Sequence, residues 1–472
     1  MKLISRIAER LGYAPAIIAP RVAALAAVVI LTRLLSPDEF GLYALVIVYG
    51  EMLDSVMLNW TRLGLQRFHH VAGVDLADLR RKAVLLSWLG AALGALVGAA
   101  LVLSSPGTSS MSFYLMLLLY FLGAGVLRYG LNVLRAQERV LCYVLIECLR
   151  PALGLILAWA LATYWSASFV APSLGTFGVT ALVAFVVLAF TARSLPIGGS
   201  RVPFATFLGY SAPLISVFLV SQLISASDRY LLGAYGGTAL VGVYAACTSL
   251  ARPPIETLFN ILNTSAFPRL IKAFECRGEV AAADELRSQL GLLIVIGLPA
   301  LVGIWLIARP LADLMLDPRY GADSEWIIRL SSLGSFLACL KCFYSDQVFH
   351  LRRNSLLQTM TLVPGAAVCV VVCIYAIPMR GGIGAAAGLV AGYGVSATFS
   401  HVLAQRHLRV RIPWPLILRA SLGCLAMVAV AGLINLDSSA LALVFTVAAC
   451  VAVYVLVCVS TGAVRAIEGH AL

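Results

Sequence analysis

Charged residues are scarce in this chain. Lys, Arg, Asp and Glu make up 12% of its 472 residues, whereas a soluble domain carries about 25%. Hydrophobic residues reach 61%, and the mean hydropathy is +0.95. So few charges cannot cover a folded surface of this size in water. This composition excludes a soluble globular protein and predicts an integral membrane protein.

Long polar connections are also missing. The longest, 61–82 and 263–287, are each the size of one short helix. Acids and bases are mixed from Ala273 to Leu290, which predicts an amphipathic helix lying on the membrane surface. No connection is large enough for a catalytic domain, or for the acceptor site of a sugar polymerase or ligase. The chain is therefore predicted not to be an enzyme.

The sequence has no disulfide or metal-binding framework. All of its eleven cysteines except Cys276 lie in apolar stretches. One CxxC motif, Cys339–Cys342, has no second CxxC and no histidine at ligand spacing, so we interpret these thiols as apolar packing residues. The His69–His70 pair lies in a basic connection without ligand partners. The sequence predicts no metal ion and no cofactor.

The chain is rich in apolar runs long enough to cross a bilayer. A helix rises 1.5 Å per residue, so about 20 residues cross a hydrocarbon core of ~30 Å. By this criterion about fourteen runs qualify, although charges or prolines interrupt the first two, 13–35 and 38–60, and the eighth, 238–262, which leaves a count of 12 or 13 open. The predicted fold is an all-α integral membrane protein with about 14 transmembrane helices.

Lysine and arginine cluster in every second connection. They occur at the N-terminus (Lys2, Arg6 and Arg10), in 61–82 and in later connections of the same parity, whereas the intervening connections carry few. Positively charged connections stay in the cytoplasm, so both termini are predicted to be cytoplasmic. The net charge of +12 follows from this asymmetry and from contact with anionic headgroups, and it does not indicate nucleic-acid binding.

A short pattern occurs twice along the chain. Ala19–Pro20 opens the first span and Phe40–Leu45 the second, while Ala212–Pro213 lies early in the seventh and Val241–Ala246 opens the eighth. The distance from proline to the glycine of the second element is 21 residues in one copy and 29 in the other. Both copies start a six-helix set of the same orientation. This pattern predicts parallel repeats with the substrate path between them.

Three stretches resemble a known family. Leu31–Leu45 (LTRLLSPDEFGLYAL) is similar to the opening of bacterial polysaccharide flippases, the O-antigen and exopolysaccharide flippases of the multidrug/oligosaccharidyl-lipid/polysaccharide exporter superfamily. Ser227–Gly233, followed by Val241–Ala245, also resembles these proteins. Leu314–Leu330 is similar to the periplasmic turn that they place before their tenth helix.

This resemblance implies an architecture and a function. The architecture is an N-lobe of helices 1–6 (residues 1–203), a C-lobe of helices 7–12 (204–404) and an accessory pair (405–472). The function is transport of undecaprenyl-diphosphate-linked oligosaccharide repeat units from the cytoplasmic to the periplasmic leaflet of the bacterial inner membrane, by alternating access. The implied partners are the lipid-linked oligosaccharide, membrane lipids and the polysaccharide polymerase machinery.

Ionised side chains within the spans need a polar environment, because an arginine facing lipid costs about 2.5–3.5 kcal/mol. Arg21 lies mid-span directly after Pro20, and Arg252 lies mid-span directly before Pro253. A diphosphate carries about two negative charges, which guanidinium groups bind through planar, bidentate contacts. Arg21 and Arg252, one on each lobe, are therefore predicted to bind the substrate diphosphate. Arg128 is predicted to receive it near the cytoplasmic mouth.

The acids within the spans allow two interpretations. Glu256 lies one turn from Arg252, and Glu51 or Asp54 could pair with Arg21, so internal ion pairs are one alternative. Glu51 and Asp54 also share a helix face, where two close carboxylates compete for ionisation. We therefore name Glu51, Asp54 and Glu256 as candidate sites for coupling to H⁺ or Na⁺.

Two other transporters of the same superfamily remain alternatives. A drug/cation antiporter would line its cavity with acids and aromatics rather than with arginine. A flippase of the peptidoglycan lipid precursor would carry a similar diphosphate, so its arginines would look the same. The sequence leaves the sugar, the coupling ion and the oligomeric state open.

Overall fold

The computed structural model describes residues 14–69, 75–104, 107–137, 139–192, 202–321, 323–352, 354–434 and 439–462. Most of these residues are helical. These residues contain no β-strand, and the predicted all-α membrane fold is confirmed. They divide into two compact units, Met1–Gly242 and Val243–Leu472. The predictions made on the N-terminal basic residues and on His70 lie outside the described residues.

Fifteen α-helices follow one another along the described residues. The first nine are α1 Ala14–Leu34, α2 Pro37–Leu53, α3 Asn59–His69, α4 Leu76–Ser104, α5 Met111–Ala136, α6 Val140–Tyr164, α7 Val170–Ser173, α8 Val179–Ala192 and α9 Phe204–Ser211. The others are α10 Leu214–Met315, α11 Ser324–Leu340, α12 Asp346–Leu351, α13 Ser355–His407, α14 Trp414–Leu433 and α15 Ala440–Ser460. Single π-helical turns join three neighbouring pairs, at Asp54–Leu58, Leu174–Gly178 and Lys341–Ser345.

Eleven continuous helical stretches of the described residues are long and apolar enough to cross a membrane. Two of these stretches lie in helices too long for a single crossing. Helix α10 has 102 residues, which as a straight rod would extend ~150 Å, about five hydrocarbon cores. It contains Gly237 and Gly278, whose φ angles are 78° and 83°, and α13 contains Gly381 with φ 51°. Since an α-helix requires φ near about −63°, the chain changes direction at each of these glycines.

Two expectations about connections were wrong. The second span does not stop at residue 60, because helix continues through the π turn and α3, and the crossing extends from Pro37 to Phe68. Arg62, which the sequence placed in a basic connection, is therefore a buried helical residue. The acidic and basic segment Ala273–Leu290 is part of α10 rather than a separate short helix. The count of fourteen spans stays a prediction.

The stretch that resembles the flippase family contains a well-defined helix start. Ser36 is extended, and its hydroxyl accepts a hydrogen bond from the backbone N–H of Glu39 at 3.3 Å. Pro37 follows at the first helical position, where its missing N–H costs nothing. Asp38 and Glu39 place negative charge in the first turn, where the helix dipole favours it. These four residues account for the sharp beginning of α2.

Helix α2 and the second copy of the repeated pattern pack through glycine. A Cβ added to Gly41 would lie 1.9 Å from the carbonyl oxygen of Thr238, and one added to Gly242 would lie 2.0 Å from that of Pro37. The two contacts are reciprocal, because each glycine meets the carbonyl four residues before the other. The Thr238 hydroxyl also donates a hydrogen bond to Asp38 at 2.7 Å. The sequence repeat thus corresponds to a symmetric backbone contact within Met1–Gly242.

We expect Gly242→Ala to lower the free energy of unfolding by about 1–3 kcal/mol, the usual cost of overpacking. The added methyl group meets a backbone oxygen, which cannot move aside as a flexible side chain could. Thermal unfolding of the detergent-solubilised protein measures this loss. Gly209→Ala is the matched control, because nothing lies within 4 Å of the added Cβ in helix α9. Equal losses in both variants would contradict the packing argument.

Within Val243–Leu472, the last two helices pack together against α10. Met427 and Ala420 of α14 and Cys450 of α15 are buried in one cluster with Val295. The Tyr454 hydroxyl donates a hydrogen bond to the Val295 carbonyl at 2.7 Å. This hydrogen bond satisfies the hydroxyl group of Tyr454, whose side chain is otherwise apolar and is buried. The division into lobes at 203/204 and 404/405 stays a prediction.

Candidate functional site

A cavity of about 430 Å³, with a mostly apolar lining that includes several charged residues, lies inside the unit Met1–Gly242. Helices α1, α2, α5, α6 and α8 and the π turn before α8 contribute its walls, and small apolar residues of α1 form one side. Its polar lining residues are Tyr43, Tyr120, Arg128, Glu147, Arg150, Thr176 and Thr180. Such a group of charged residues at membrane depth is the feature that the sequence predicts for a transport site.

Arg128 joins two carboxylates of α2 and its π turn. One guanidinium nitrogen donates to Asp54 Oδ2, and the other donates to Glu51 Oε1. The Tyr120 hydroxyl donates to the same oxygen of Glu51. Tyr120 itself is held in place by an edge-on contact with Phe177, with ring centroids 4.9 Å apart. The three charges that the sequence placed within spans on α2 and α5 are thus in direct contact.

A buried ion pair supports this contact. Arg62 donates two parallel hydrogen bonds to Asp54, at 2.8 Å to Oδ1 and 2.6 Å to Oδ2. Eight residues separate the two along the chain, which on an ideal α-helix is a rotation of about 80°. The intervening π turn takes up one extra residue, so the pair has the alignment of an i, i+7 pair instead. The π turn is what brings Arg62 onto the Asp54 carboxylate.

Exposure divides the cluster into two layers. The side chains of Asp54 and Arg62 are 2% and 4% exposed, whereas those of Glu51 and Arg128 are 41% and 36% exposed. The buried layer is a bidentate pair whose hydrogen-bonding capacity is largely used. The open layer can exchange partners, because a ligand that reaches Arg128 can replace Glu51. The buried Asp54–Arg62 pair thus positions Arg128, whose guanidinium group faces the cavity.

Another wall of the cavity, on α6, carries an ion pair with longer distances. Arg150 Nη2 donates to Glu147 at 3.5 Å, and its Nη1 donates to the Thr180 hydroxyl at 3.4 Å. Both distances are at the long limit for a hydrogen bond. The Nε atom of Arg150 is buried and makes no hydrogen bond within the described part of the chain. Arg150 is therefore a second cavity arginine with unused donors.

Arg21 lies beside the cavity on α1. Pro20, its neighbour, lines the cavity, and Arg21 is half-buried. Its Nη1 atom is buried without a hydrogen-bond partner among the described residues. The alternative pairing of Arg21 with Glu51 or Asp54 is not found, because those carboxylates bind Arg128 and Arg62. Diphosphate binding by Arg21 stays a prediction.

The residues predicted in the second lobe lie in Val243–Leu472 and are described there by themselves. Arg252 Nε donates to Glu256 Oε1 at 3.2 Å, one helical turn away. The Ser335 hydroxyl donates to the same oxygen at 3.1 Å. This is the internal pair that the sequence allowed as an alternative. The roles of Arg252 in diphosphate binding and of Glu256 in ion coupling stay predictions.

The unit Val243–Leu472 also contains a buried ion pair at a π turn, as Met1–Gly242 does with Asp54 and Arg62. Lys341 Nζ donates to both oxygens of Asp346, at 2.9 and 2.7 Å, and the Ser400 hydroxyl donates to Oδ1 at 2.6 Å. The lysine ammonium therefore binds a carboxylate rather than the thiols of the CxxC motif, Cys339 and Cys342. No group of three metal-ligating side chains occurs among the described residues.

Sequence reasoning missed Arg62, Tyr120 and Lys341. Arg62 and Lys341 were assigned to a basic connection and to a CxxC motif. A usable signal existed for each, namely an acid within eight residues on the same span: Asp54 before Arg62 and Asp346 after Lys341. Tyr120 carries no such signal, because only the packing of α5 against α2 brings it to Glu51.

Solved structures share this fold. The first is described as lipid II flippase MurJ in an inward closed conformation, with TM-score 0.71 and 14% identity over 94% of this chain and 97% of that chain. The eukaryotic MATE transporter AtDTX14 aligns with TM-score 0.55 and 14% identity, over 88% and 99% of the two chains. A MOP-superfamily transporter from Pyrococcus furiosus aligns with TM-score 0.53 and 15% identity, over 83% and 95%.

Sequence comparison gives the family. No curated protein matches the chain. Residues 30–325 match the family described as polysaccharide biosynthesis protein, which is more than half of the chain. The prediction of a transporter rather than an enzyme agrees with the descriptions of these solved neighbours as a flippase and as transporters. The chain therefore belongs to the polysaccharide biosynthesis family, and it is a multi-pass membrane protein.

Proposed function

We propose that the chain transports undecaprenyl-diphosphate-linked oligosaccharide repeat units from the cytoplasmic to the periplasmic leaflet of a bacterial inner membrane, by alternating access. The observation that carries the proposal is Arg128, which lines a cavity at membrane depth and is held there by the buried Asp54–Arg62 pair. Family membership supports a role in polysaccharide biosynthesis. Its partners would be the lipid-linked oligosaccharide, membrane lipids and a polysaccharide polymerase.

The cavity offers what a diphosphate requires. Its volume of about 430 Å³ falls within the roughly 300–1,000 Å³ of small-ligand pockets, enough for a headgroup but not for a polyprenyl chain. The polyprenyl tail would stay in lipid. Arg128 and Arg150 supply guanidinium donors in the lining, and hydroxyl groups of Thr176 and Thr180 lie beside them. Shielding the charged headgroup from hydrocarbon is the whole task, so no covalent bond is made or broken.

Ion coupling follows from the exchange at Arg128. Glu51 neutralises Arg128 in the structure. A diphosphate that takes over this arginine would leave the Glu51 carboxylate without its counter-charge at membrane depth, which is costly. Glu51 would then bind H⁺ or Na⁺, so binding of substrate and of the coupling ion would be linked. Asp54 would keep its own charge, because Arg62 still neutralises it.

The cavity chemistry disfavours a drug/cation antiporter. An organic cation would meet Arg128 and Arg150 in the lining, and like charges in a medium of low dielectric constant repel strongly. A peptidoglycan precursor carries the same diphosphate, so the cavity arginines do not distinguish it from a polysaccharide precursor. The experiment must therefore separate these two substrates directly.

The test uses full-length protein reconstituted in liposomes with fluorescent undecaprenyl-diphosphate-linked oligosaccharide. We expect accelerated movement of this lipid between leaflets, measured by accessibility to an added quencher, relative to protein-free liposomes. The control substrate is the same lipid with an uncharged head, which lacks the group that Arg128 would bind. Equal rates for both lipids, or no acceleration of either, would overturn the proposal.

Two further arms sharpen this test. Arg21→Ala and Arg252→Ala measure the predicted diphosphate contacts outside the Arg128 cluster, and each is expected to slow flipping. Wild-type rates in both would remove these two residues from the proposed site. Rescue of cells depleted of their peptidoglycan-precursor flippase would assign the chain to that substrate instead.

A further inference from the structure

A second polar cavity, of about 520 Å³, lies in the unit Val243–Leu472. It is formed by the part of α10 that follows Gly278, by the end of α13 and by the connection from α13 to α14. Four arginines line it: Arg287, Arg406, Arg409 and Arg411. The proposed flippase function uses none of them. This arginine pocket is the feature that carries the inference.

The connection after α13 has a defined conformation. The Gln405 side-chain amide donates to the Val410 carbonyl at 2.9 Å, and its oxygen accepts from the Val410 N–H at 3.0 Å. Both backbone polar groups of Val410 are therefore hydrogen-bonded to one side chain. Along this segment buried and exposed side chains alternate: Leu408 and Val410 are buried, whereas Arg409 and Arg411 are exposed. Both guanidinium groups therefore project from the same side of a fixed backbone, and the arrangement is preorganised for an anion.

Hydrogen bonds from Arg352 join two walls of the pocket. The Arg352 guanidinium donates to Glu279 Oε1 at 2.8 Å and to the His407 carbonyl at 2.7 Å. It thereby links α10 and the end of α13, and it neutralises one of the two acids in the lining. The other acid is Asp284. After this compensation the pocket retains an excess of positive charge.

The lining arginines have spare hydrogen-bond donors. No carboxylate of the described residues forms an ion pair with Arg406, Arg409 or Arg411. The Nε atom of Arg287 is buried and makes no hydrogen bond within the described part. A buried donor without a partner costs about 1–3 kcal/mol, which an acceptor in the pocket would remove. These donors select a ligand with several anionic oxygens.

Depth in the membrane identifies the source of that ligand. Helix α14 begins at Trp414, only three residues after Arg411, and Trp414 is exposed. Leu418 and Leu422, one and two turns further along the helix, are exposed and apolar, as lipid-facing residues are. Tryptophan is enriched at the level of the headgroups, where such a helix enters the bilayer. Val280, 78% exposed in the pocket lining, adds an apolar surface.

We propose that this arginine pocket binds the phosphodiester headgroup of an anionic phospholipid. The guanidinium groups of Arg409 and Arg411 both donate hydrogen bonds to the phosphate oxygens, which guanidinium binds in a bidentate manner. Arg287 closes the site from α10, and the acyl chains extend along the exposed apolar face beyond Trp414. Basic pockets beside transmembrane helices bind lipid headgroups in this way. The inference is independent of the transported substrate.

The test measures lipid binding by full-length protein in uncharged detergent. Phosphatidylglycerol or cardiolipin should raise the Tm in a saturable manner, whereas phosphatidylcholine should not. We expect Arg409→Gln/Arg411→Gln to weaken phosphatidylglycerol binding about tenfold in ~0.15 M salt, since charge-assisted hydrogen bonds are lost. Binding to the unmodified protein should weaken strongly in ~1 M salt, where the screening length falls to about 3 Å.

The matched control is Arg67→Gln/Arg81→Gln, which removes two exposed arginines of the other unit. It should bind phosphatidylglycerol as the unmodified protein does. Equal weakening in both double variants would show only a loss of general charge and would overturn the inference. So would equal Tm shifts with phosphatidylcholine. If soluble glycerol phosphate binds as tightly as the lipid, the pocket is a site for a free phosphate and not for the membrane.

Discussion

Replacing Asp54 by asparagine should lower the free energy of unfolding by about 3–5 kcal/mol, the usual cost of breaking a buried ion pair. The Asp54 carboxylate accepts both hydrogen bonds of Arg62, and the two side chains are almost fully buried. Without the carboxylate charge, Arg62 keeps a positive charge in a region of low dielectric constant. The folded fraction in mixed micelles with rising dodecyl sulfate content measures the loss.

Two comparisons separate this effect from a general loss of charge. Asp78→Asn removes an ion pair with Lys82 whose side chains are each 19% exposed, and water screening should limit that loss to about 0–1 kcal/mol. Asp54→Asn/Arg62→Met removes both buried charges and should recover a large part of the stability. If the double variant is no more stable than Asp54→Asn, the buried pair is not the source of the loss.

The sequence predicted the charges of the cavity better than their partners. Glu51, Asp54 and Arg128 stand out because ionised groups within apolar runs are costly. Their cost requires that they face a cavity or one another, and the structure brings all three into contact. Composition and apolar runs likewise suffice for the all-α membrane fold. These features depend on residue type and on short spacing, which one sequence displays directly.

Register and long-range packing are what the sequence does not display. The sequence places Arg62 in a basic connection after a span that ends at residue 60, and an ideal helix would turn Arg62 away from Asp54. The π turn at Asp54–Leu58 changes that register by one residue. The sequence of this turn, DSVML, contains no residue that indicates a π turn. Tyr120 reaches Glu51 only through the packing of α5 on α2, across 69 residues of chain. A sequence-based prediction of the site therefore finds its charges and misses the groups that position them.

The positioning groups explain why Arg128 can be removed without unfolding the cluster. In Arg128→Ala, Asp54 keeps both hydrogen bonds from Arg62. Glu51 keeps the hydrogen bond from the Tyr120 hydroxyl, and its side chain is 41% exposed, so it can bind the H⁺ or Na⁺ proposed above in place of Arg128. A loss of transport in this variant would therefore report on ligand binding rather than on folding. Asp54→Asn, by contrast, affects both.

We expect Arg128→Ala to weaken binding of inorganic pyrophosphate, and to slow flipping of the diphosphate-linked lipid, by about a hundredfold or more. Two charge-assisted hydrogen bonds of about 1.5–3 kcal/mol each would be lost, and each 1.4 kcal/mol is tenfold. Arg128→Lys should recover only part, because an ammonium cannot bind in a bidentate manner. Glu51→Gln should tighten pyrophosphate binding, since it removes the carboxylate that competes for Arg128.

Arg139→Ala is the control for these assays, because Arg139 is exposed and does not line the cavity. Its guanidinium group stacks on Phe190, with 5.1 Å between the guanidinium carbon and the ring centroid. It should bind pyrophosphate and flip the lipid at the wild-type level. Arg128→Ala and Glu51→Gln are expected to change pyrophosphate binding in opposite directions. A merely structural salt bridge would make both variants worse to a similar degree, whereas an arginine that exchanges its carboxylate for a diphosphate makes one worse and the other tighter. Unchanged binding in Arg128→Ala would remove this residue from the substrate site.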